Sequence, residues 1–190
     1  MIDPSDRAFP AELPTLETER LILRPFSPAD APAVQRLAGE RAIADTTLNI
    51  PHPYLDGMAE AWIGSHREAF VRGESLVLAV TMPGEGLVGA CGLVLARAHR
   101  RGELGYWIAV PRWGRGYATE AVRAVIRYGF DALGLNRIEA SYLTRNPASG
   151  RVMEKAGMRL EGVHRQHVLK NGVFEDLARY AILASEALPS

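Results

Sequence analysis

The stretch from Tyr106 to Ala121 constrains the fold more than any other part of this sequence. An apolar run ends at Val110, a glycine-rich basic turn follows, and a periodic helix begins near Ala118. Glycine adopts backbone conformations that other residues avoid, and a helix start presents free N–H groups and the positive end of the helix dipole. The stretch therefore predicts a cradle for a phosphate or pyrophosphate group between a strand and a helix.

The helix after the turn is supported by its own pattern. Its apolar residues recur at helical spacing on one face, and Gly134 can end it. Glu120 stands in the first turn, where a carboxylate interacts favourably with the helix dipole. Two familiar phosphate loops do not fit, because the dinucleotide fingerprint requires glycine where Thr119 stands and the P-loop requires a Gly-Lys-Ser/Thr run. The turn alone leaves a merely structural role open.

Composition restricts the class of protein. A chain of 190 residues, 47% of them apolar, suits one domain with a sizeable core. Lys plus Arg equals Asp plus Glu at 22 each, so no overall charge attracts nucleic acid or a membrane surface. The single Cys91 excludes an internal disulfide and fits a reducing compartment. Residues 1–14 are predicted to be an irregular tail without the apolar core of a signal peptide, and no segment reaches the length of a membrane span, so we expect a cytoplasmic protein.

The rest of the chain predicts one mixed α/β domain over residues 15–185. Helical spacing and caps predict helices over residues 31–38, 56–71, 118–133 and 146–157, with a loop over 44–55. Alternating or continuous apolar runs predict strands over residues 18–26, 76–82, 87–96, 103–110, 137–143, 158–169 and 173–183. The strand before the glycine turn and the strand after its helix form a βαβ unit, so these two strands should be parallel.

The glycine turn and four further ordered motifs resemble one known family. The turn Trp113-Gly114-Arg115-Gly116-Tyr117-Ala118 resembles the acetyl-CoA loop of the GCN5-related N-acetyltransferases (GNAT), written Gln/Arg-x-x-Gly-x-Gly/Ala, although Trp113 departs at the first position. The opening Thr18-Glu19-Arg20-Leu21-Ile22-Leu23-Arg24-Pro25, the segment from Asn146 to Met158 and the closing Gly172…Asp176…Leu183 hairpin are similar to the RimJ/RimL-like branch of that superfamily, as is Glu103-Leu104-Gly105-Tyr106-Trp107-Ile108 before the loop. The resemblance implies a mixed, mostly antiparallel sheet of about seven strands, splayed between strands four and five and flanked by about four helices.

The resemblance also implies acetyl-CoA as the co-substrate, held in the splay, and no metal. Cofactor-binding residues are then expected in three places. The turn would hold the pyrophosphate through Arg115, Gly116, Tyr117, Ala118 and Thr119. The strand end would pair its main chain at Ile108 and Val110 with the pantetheine arm, and the second helix would place Asn146 and Ser149 near the sulphur.

Two residues are candidates for the chemistry. Glu103 opens the strand that leads into the turn, and a carboxylate there could deprotonate the amine as general base. It could instead pair with the arginines at 100 and 101, and a water chain could take the proton. Ser149 is the candidate acid for the departing thiolate, because the place of the tyrosine that many GNAT enzymes use is occupied by Met153, which cannot donate a proton. A hydroxyl bonding the helix start is the alternative for Ser149.

The acceptor site is less defined. Tyr54 follows a proline-rich loop where similar enzymes form part of that site, and Asp176 on the last hairpin is expected to face the same cleft. A packing role for Tyr54 and an exposed position for Asp176 stay open. His164 and His167 are three residues apart in a predicted strand, so we expect them on opposite faces, which disfavours a metal pair.

The function predicted from the resemblance is acetyl-CoA-dependent acetylation of a primary amine, and the RimJ/RimL-like branch favours protein N-terminal amines of the ribosomal-protein type. Small-molecule amines, such as an antibiotic, polyamine or amino acid, are the alternative within the enzyme class. A non-catalytic acyl-CoA sensor or scaffold is the alternative of another class. The expected partners are acetyl-CoA and the acceptor, a homodimer is left open, and no nucleic acid or membrane partner is expected.

Overall fold

A computed structural model describes residues 9–187, so most of the predicted N-terminal tail lies outside the described residues. The strands in this range are β1 (Leu16–Glu17), β2 (Ile22–Arg24), β3 (Ser75–Met82), β4 (Gly86–Ala96), β5 (Arg101–Ile108), β6 (Arg137–Leu143), β7 (Arg159–Lys170) and β8 (Val173–Leu183). The helices are α1 (Ala31–Ala38), α2 (Arg41–Thr46), α3 (Met58–Val71), α4 (Tyr117–Asp131) and α5 (Pro147–Lys155). None of the helices in residues 9–187 is long and apolar enough to cross a membrane.

The strands form one sheet in the order β1-β2-β3-β4-β5-β6-β8-β7. Only β5 and β6 are parallel neighbours among the described strands, which confirms the βαβ unit predicted around the glycine turn. These two strands pair over three positions, the last of which joins Glu103 to Glu139, and then separate. The sheet therefore opens into a V whose closed end lies at Glu103. Counted from β2, the V lies between the fourth and fifth strands, as the resemblance implies.

Helices cover both faces of the sheet and form two separate hydrophobic clusters. On one face α4 buries Ala121, Val122 and Val125 against the sheet, together with residues of α5 and β8. On the other face α1 and α3 pack around Trp107 of β5. Because successive strand residues point to opposite faces, Leu104 joins the α4 cluster while Trp107 joins the α1–α3 cluster. Strand β5 thus contributes side chains to both sides of the V.

Two elements were not expected from the sequence. The two-residue β1 adds an eighth strand, and α2 adds a fifth helix where we expected the loop over residues 44–55 to begin. Helix α2 spans six residues, which is too short to show a clear 3.6-residue period, and no side-chain hydrogen bond caps its start. It is stabilised by tertiary packing, because Ile43 is buried in the α1–α3 cluster and Ala44 is also buried.

Candidate functional site

Two cavities meet inside the V. The larger has a volume of about 590 Å³ and lies on the α1–α3 side; the smaller, of about 260 Å³, lies at the starts of α4 and α5. Five residues line both cavities: Thr46, Thr47, Tyr106, Trp107 and Ser149. The open sheet therefore connects a site on one side with a site on the other, and these shared residues surround the point of contact.

The smaller cavity contains the glycine turn. Gly114 and Gly116 have φ values of 74° and 85°, a left-handed conformation that glycine adopts without a Cβ clash. Gly116 is the N-cap of α4, and among the described residues no side chain caps this helix start. The first N–H groups of α4 are thus left for another partner, beside Tyr117, Ala118 and Thr119 in the cavity lining. This geometry fits a pyrophosphate.

Basic side chains surround this turn. Arg112, Arg151 and Lys155 line the smaller cavity and can interact with phosphate oxygens. Arg112 is also paired with Glu85. Arg115, which the resemblance placed among the cofactor residues, is outside the lining, and its carbonyl oxygen accepts a hydrogen bond from Arg20 at 3.0 Å.

The strand end before the turn is held by the tryptophan that departs from the family motif. The indole N–H of Trp113 donates to the carbonyl oxygen of Ile108 at 2.6 Å. Ile108 lines the smaller cavity, and its carbonyl keeps a second lone pair for a cofactor amide. Val110 is partly buried in the α1–α3 cluster and does not line either cavity. Pantetheine pairing at Val110 stays a prediction that concerns its main chain alone.

Ser149 lies at the contact between the cavities, opposite a tyrosine that sequence reasoning missed. The Tyr106 hydroxyl is 2.7 Å from Ser149 Oγ and 3.1 Å from the Ser149 carbonyl oxygen. Burial raises the pKa of Tyr106 above its usual range, despite the opposing effect of the hydrogen bond to Ser149, so its hydroxyl stays protonated. Ser149 therefore bonds a neighbouring side chain rather than capping α5.

Glu103 is an exposed residue at the closed end of the V, where it lines the larger cavity. The arginines that could have neutralised it are occupied elsewhere. Arg100 donates to the carbonyl oxygen of Gly134 at 2.8 Å, and Arg101 approaches the buried Glu139 to 3.6 Å. Glu139 is also paired with Arg137 at 3.1 Å. Among the charged groups described, Glu103 is the one that lines the larger cavity.

The remaining predicted residues differ in position. Tyr54 lines the larger cavity, and burial raises the pKa of its hydroxyl. Asn146 lines the smaller one, and its Nδ2 donates to the carbonyl oxygen of Thr46 at the end of α2, 3.3 Å away. Asp176 lines neither cavity, and its carboxylate accepts a hydrogen bond from the Gln166 N–H at 2.7 Å. A role for Asp176 in acceptor binding therefore stays a prediction without support from its position.

The prediction that His164 and His167 lie on opposite faces of their strand was wrong. The rings of His164 and His167 lie 5.0 Å apart in an edge-to-face arrangement. A register shift between His164 and Val168, with Gln166 at a φ of 50°, breaks the alternation on which the prediction depended. Within residues 9–187, no group of three or more His, Cys, Asp or Glu side chains could hold a metal ion.

A sheet opened between two parallel strands, with a glycine cradle at a helix start on one side, is the arrangement that the resemblance to GNAT acetyltransferases implies. Residues 20–159 match the model of the acetyltransferase (GNAT) domain, and the chain belongs to this family. It is an acetyl-CoA-dependent N-acetyltransferase.

Relatives match this chain over almost the whole length of the domain. The chain is 35% identical to the uncharacterized N-acetyltransferase YoaA of Bacillus subtilis, in a match that covers 90% of this chain and 97% of YoaA. It is 26% identical to a spermidine N(1)-acetyltransferase of Vibrio cholerae, over 89% of this chain and 96% of that enzyme. Among solved structures, Mycobacterium smegmatis RimJ in complex with CoA-disulfide superposes with a TM-score of 0.85 at 26% identity, covering 96% of this chain and 93% of RimJ.

Proposed function

We propose that this enzyme acetylates the α-amine at a protein or peptide N-terminus, with acetyl-CoA bound in the smaller cavity and the acceptor in the larger one. The observation that carries the proposal is the larger cavity, whose lining is mostly apolar and includes one charged side chain among the residues described, Glu103. A single carboxylate suits one ammonium group attached to an uncharged residue. A polyamine would leave its other ammonium groups without a carboxylate partner in this cavity.

In this proposal the cradle at Gly116 and the starts of α4 and α5 bind the cofactor. The free N–H groups at the start of α4 hold the pyrophosphate, and Asn146 and Ser149 face the thioester end. Bound acetyl-CoA supplies an activated acetyl group. The main chain at Ile108 aligns the pantetheine arm, so that the thioester lies near the residues shared by the two cavities.

The proposed chemistry divides between two side chains. Glu103 accepts a proton from the acceptor ammonium, directly or through one water, and the neutral amine then attacks the carbonyl carbon. A C–N bond forms and the C–S bond breaks. The Ser149 hydroxyl donates a hydrogen bond to the sulphur as negative charge develops there. The amine nitrogen loses two protons in all: the first passes from Glu103 to solvent, and the second, lost as the amide forms, ends on the CoA thiol, so atoms and charge balance.

Tyr106 positions Ser149 for this task. Its protonated hydroxyl lies within hydrogen-bonding distance of Ser149 Oγ and the Ser149 carbonyl oxygen. When Tyr106 donates to Oγ, the Ser149 proton is free to point toward the cofactor. The alternative arrangement, in which Ser149 donates to Tyr106, would hide that proton, and substitution of Tyr106 distinguishes the two.

A small-molecule amine is the second candidate acceptor. The full-length similarity to the V. cholerae spermidine N(1)-acetyltransferase and the cavity volume of about 590 Å³, which admits a compact ligand, favour it.

An acceptor panel tests the proposal. Release of free thiol from acetyl-CoA would be measured with peptides that carry neutral N-terminal residues, with the same peptides blocked at the N-terminus, with spermidine and with an aminoglycoside. We expect the unblocked peptides to give the highest kcat/KM and the blocked peptides to give none. A kcat/KM for spermidine or the aminoglycoside that exceeds that of every peptide would overturn the assignment in favour of the small-molecule candidate.

A further inference from the structure

The N-terminal motif around Thr18 and Arg20 has no place in the chemistry above, yet it contacts the cofactor turn directly. The Arg20 guanidinium donates to the carbonyl oxygen of Arg115 at 3.0 Å and pairs with Glu120 at 2.6 Å. It also lies over the Tyr117 ring, 4.7 Å from the centroid. One side chain thus joins the residue before Gly116 to the first turn of α4.

Glu120 is held from several directions. Its carboxylate accepts hydrogen bonds from Thr18 Oγ1 at 2.6 Å, from the Arg20 main-chain N–H at 2.8 Å and from Arg20 Nε at 2.7 Å. A single exposed ion pair stabilises little, but several donors on one carboxylate fix its position and that of the arginine. Burial acts against the charged form, and the hydrogen bonds from Thr18 and Arg20 outweigh it, so the pKa of Glu120 is lowered.

The same contacts determine the net charge beside the cradle. A carboxylate in the first turn of α4 interacts favourably with the helix dipole but opposes a second anion at the same helix start. Arg20 neutralises Glu120 while its Nη2 lies 3.4 Å from where a Cβ on Gly116 would be. The turn is therefore tied through the Arg115 carbonyl oxygen, and the charge of Glu120 beside it is neutralised before any ligand arrives.

We propose that Arg20 is a positioning residue for acetyl-CoA, which fixes the Gly114–Gly116 turn and neutralises Glu120 so that the cradle is preorganised for the pyrophosphate. This inference rests on the proposed binding of acetyl-CoA at that turn. Preorganisation lowers the free-energy cost of binding, so losing Arg20 should weaken cofactor binding without altering the acceptor site.

The first experiment compares Arg20→Ala with Arg24→Ala in the full chain. Arg24 is a matched control, because it also lies at the N-terminal end of the sheet and forms a bidentate pair with Asp30 at 2.8 Å, outside both cavities. CoA binding is measured by calorimetry, and hydrogen exchange by the amides of the turn is measured without ligand. We expect Arg20→Ala to raise the Kd for CoA about tenfold or more and to speed exchange in the turn. Arg24→Ala should change neither quantity.

Two further variants separate the causes. Arg20→Lys keeps the positive charge but cannot reach both Glu120 and the Arg115 carbonyl, so its Kd should also rise, even if Arg20→Ala fails to fold. Adding Glu120→Gln to Arg20→Ala should recover part of the affinity, because it removes the uncompensated carboxylate. An unchanged Kd in a folded Arg20 variant, whatever its melting temperature, would overturn the inference. A wild-type protein that binds no CoA would instead contradict the proposed function.

Discussion

The two cavities are built from different parts of the chain and depend on different properties of it. The smaller cavity uses the main chain: a turn with two glycines in the left-handed region and the uncapped start of α4. The larger cavity uses side chains that α1, α3 and the segment around Tyr54 bring over β5. A glycine turn before a helix is visible in a sequence, whereas the packing of distant segments is not. The cofactor side is thus predicted by a motif, whereas the shape of the larger cavity, our proposed acceptor site, is defined by packing that only the structure shows.

This contrast predicts that the largest single effect comes from the main chain of the smaller cavity. Gly116→Val places a β-branched residue at a φ of 85°, which costs conformational energy and tilts the first N–H groups of α4 away from the cavity. We expect acetyl-CoA to lose its thermal shift in this variant. The acceptor side should keep its structure, as judged by the near-ultraviolet signal of Trp62 and Trp107.

Gly172→Val is the matched control. Gly172 has a φ of 80° at the tip of the β7–β8 hairpin and lines neither cavity. It should suffer the same local strain and keep the full acetyl-CoA shift. If acetyl-CoA raises the melting temperature equally in both variants and the wild type, the cradle is not part of the cofactor site.

The acceptor side should respond in catalysis rather than in cofactor binding. Glu103→Gln keeps the shape of the side chain and removes the base, so kcat should fall roughly 10²–10⁴-fold near neutral pH. The defect should shrink at high pH, where solvent supplies neutral amine, and the Kd for CoA should not change. Glu161→Gln, on an exposed residue of β7 outside both cavities, serves as control. If Glu103→Gln retains the wild-type kcat, Glu103 is not the base, and water held by other groups removes the proton.

Ser149 and Tyr106, which line both cavities, sharpen the comparison, because they should affect catalysis from the cofactor side. Ser149→Ala should lower kcat about 10²-fold through loss of a donor to the leaving sulphur. Tyr106→Phe should lower kcat by a similar or smaller factor, and the double variant should be little worse than Ser149→Ala, since Tyr106 acts through Ser149. Asn146, which lines the smaller cavity alone, serves as a contrast: Asn146→Ala should mainly raise the KM for acetyl-CoA. A Tyr106→Phe enzyme as fast as the wild type would overturn the positioning role of Tyr106, and a faster one would indicate that Ser149 donates to Tyr106 in the wild type.

Sequence reasoning succeeded where the signal was local. The strand, the turn around Gly116 and the helix behind it follow from glycine chemistry and a 3.6-residue period, and the parallel pair follows from chain connectivity. It failed where contacts between distant segments determine the local structure. Helix α2 is too short for its pattern to show, and the pairing of Tyr106 with Ser149 joins residues 43 positions apart. Nothing in the β7 sequence indicates the register shift that brings His164 to His167.

The smallest effect concerns a buried group behind the acceptor cavity. His66 of α3 is 5% exposed, and neither ring nitrogen has a hydrogen-bond partner within the described part of the chain. Its ring packs edge-on against Trp62, which lines the larger cavity, with centroids 4.4 Å apart. Burial lowers the pKa of His66 from 6.5 to about 4. The larger cavity is therefore backed by a buried histidine that destabilises the fold on acidification, whereas none of the described histidines lines the smaller cavity.

The sign of the pH effect follows from that pKa. Between pH 6.5 and about 4 the unfolded chain binds a proton at His66 while the folded chain does not, so stability is complete above pH 6.5 and falls as the pH falls toward 4. From pH 7 to pH 5 this single group should lower the free energy of unfolding by about 2 kcal/mol. His66→Phe keeps an aromatic ring beside Trp62, and His66→Leu covers the case in which phenylalanine overpacks the site; both should lose this part of the pH dependence, whereas substitution of the exposed His99 should not. Denaturant unfolding at the two pH values measures it. If the His66 variants lose as much stability on acidification as the wild type, the acid sensitivity belongs to the carboxylate pairs and the two sides of the sheet do not differ in this respect.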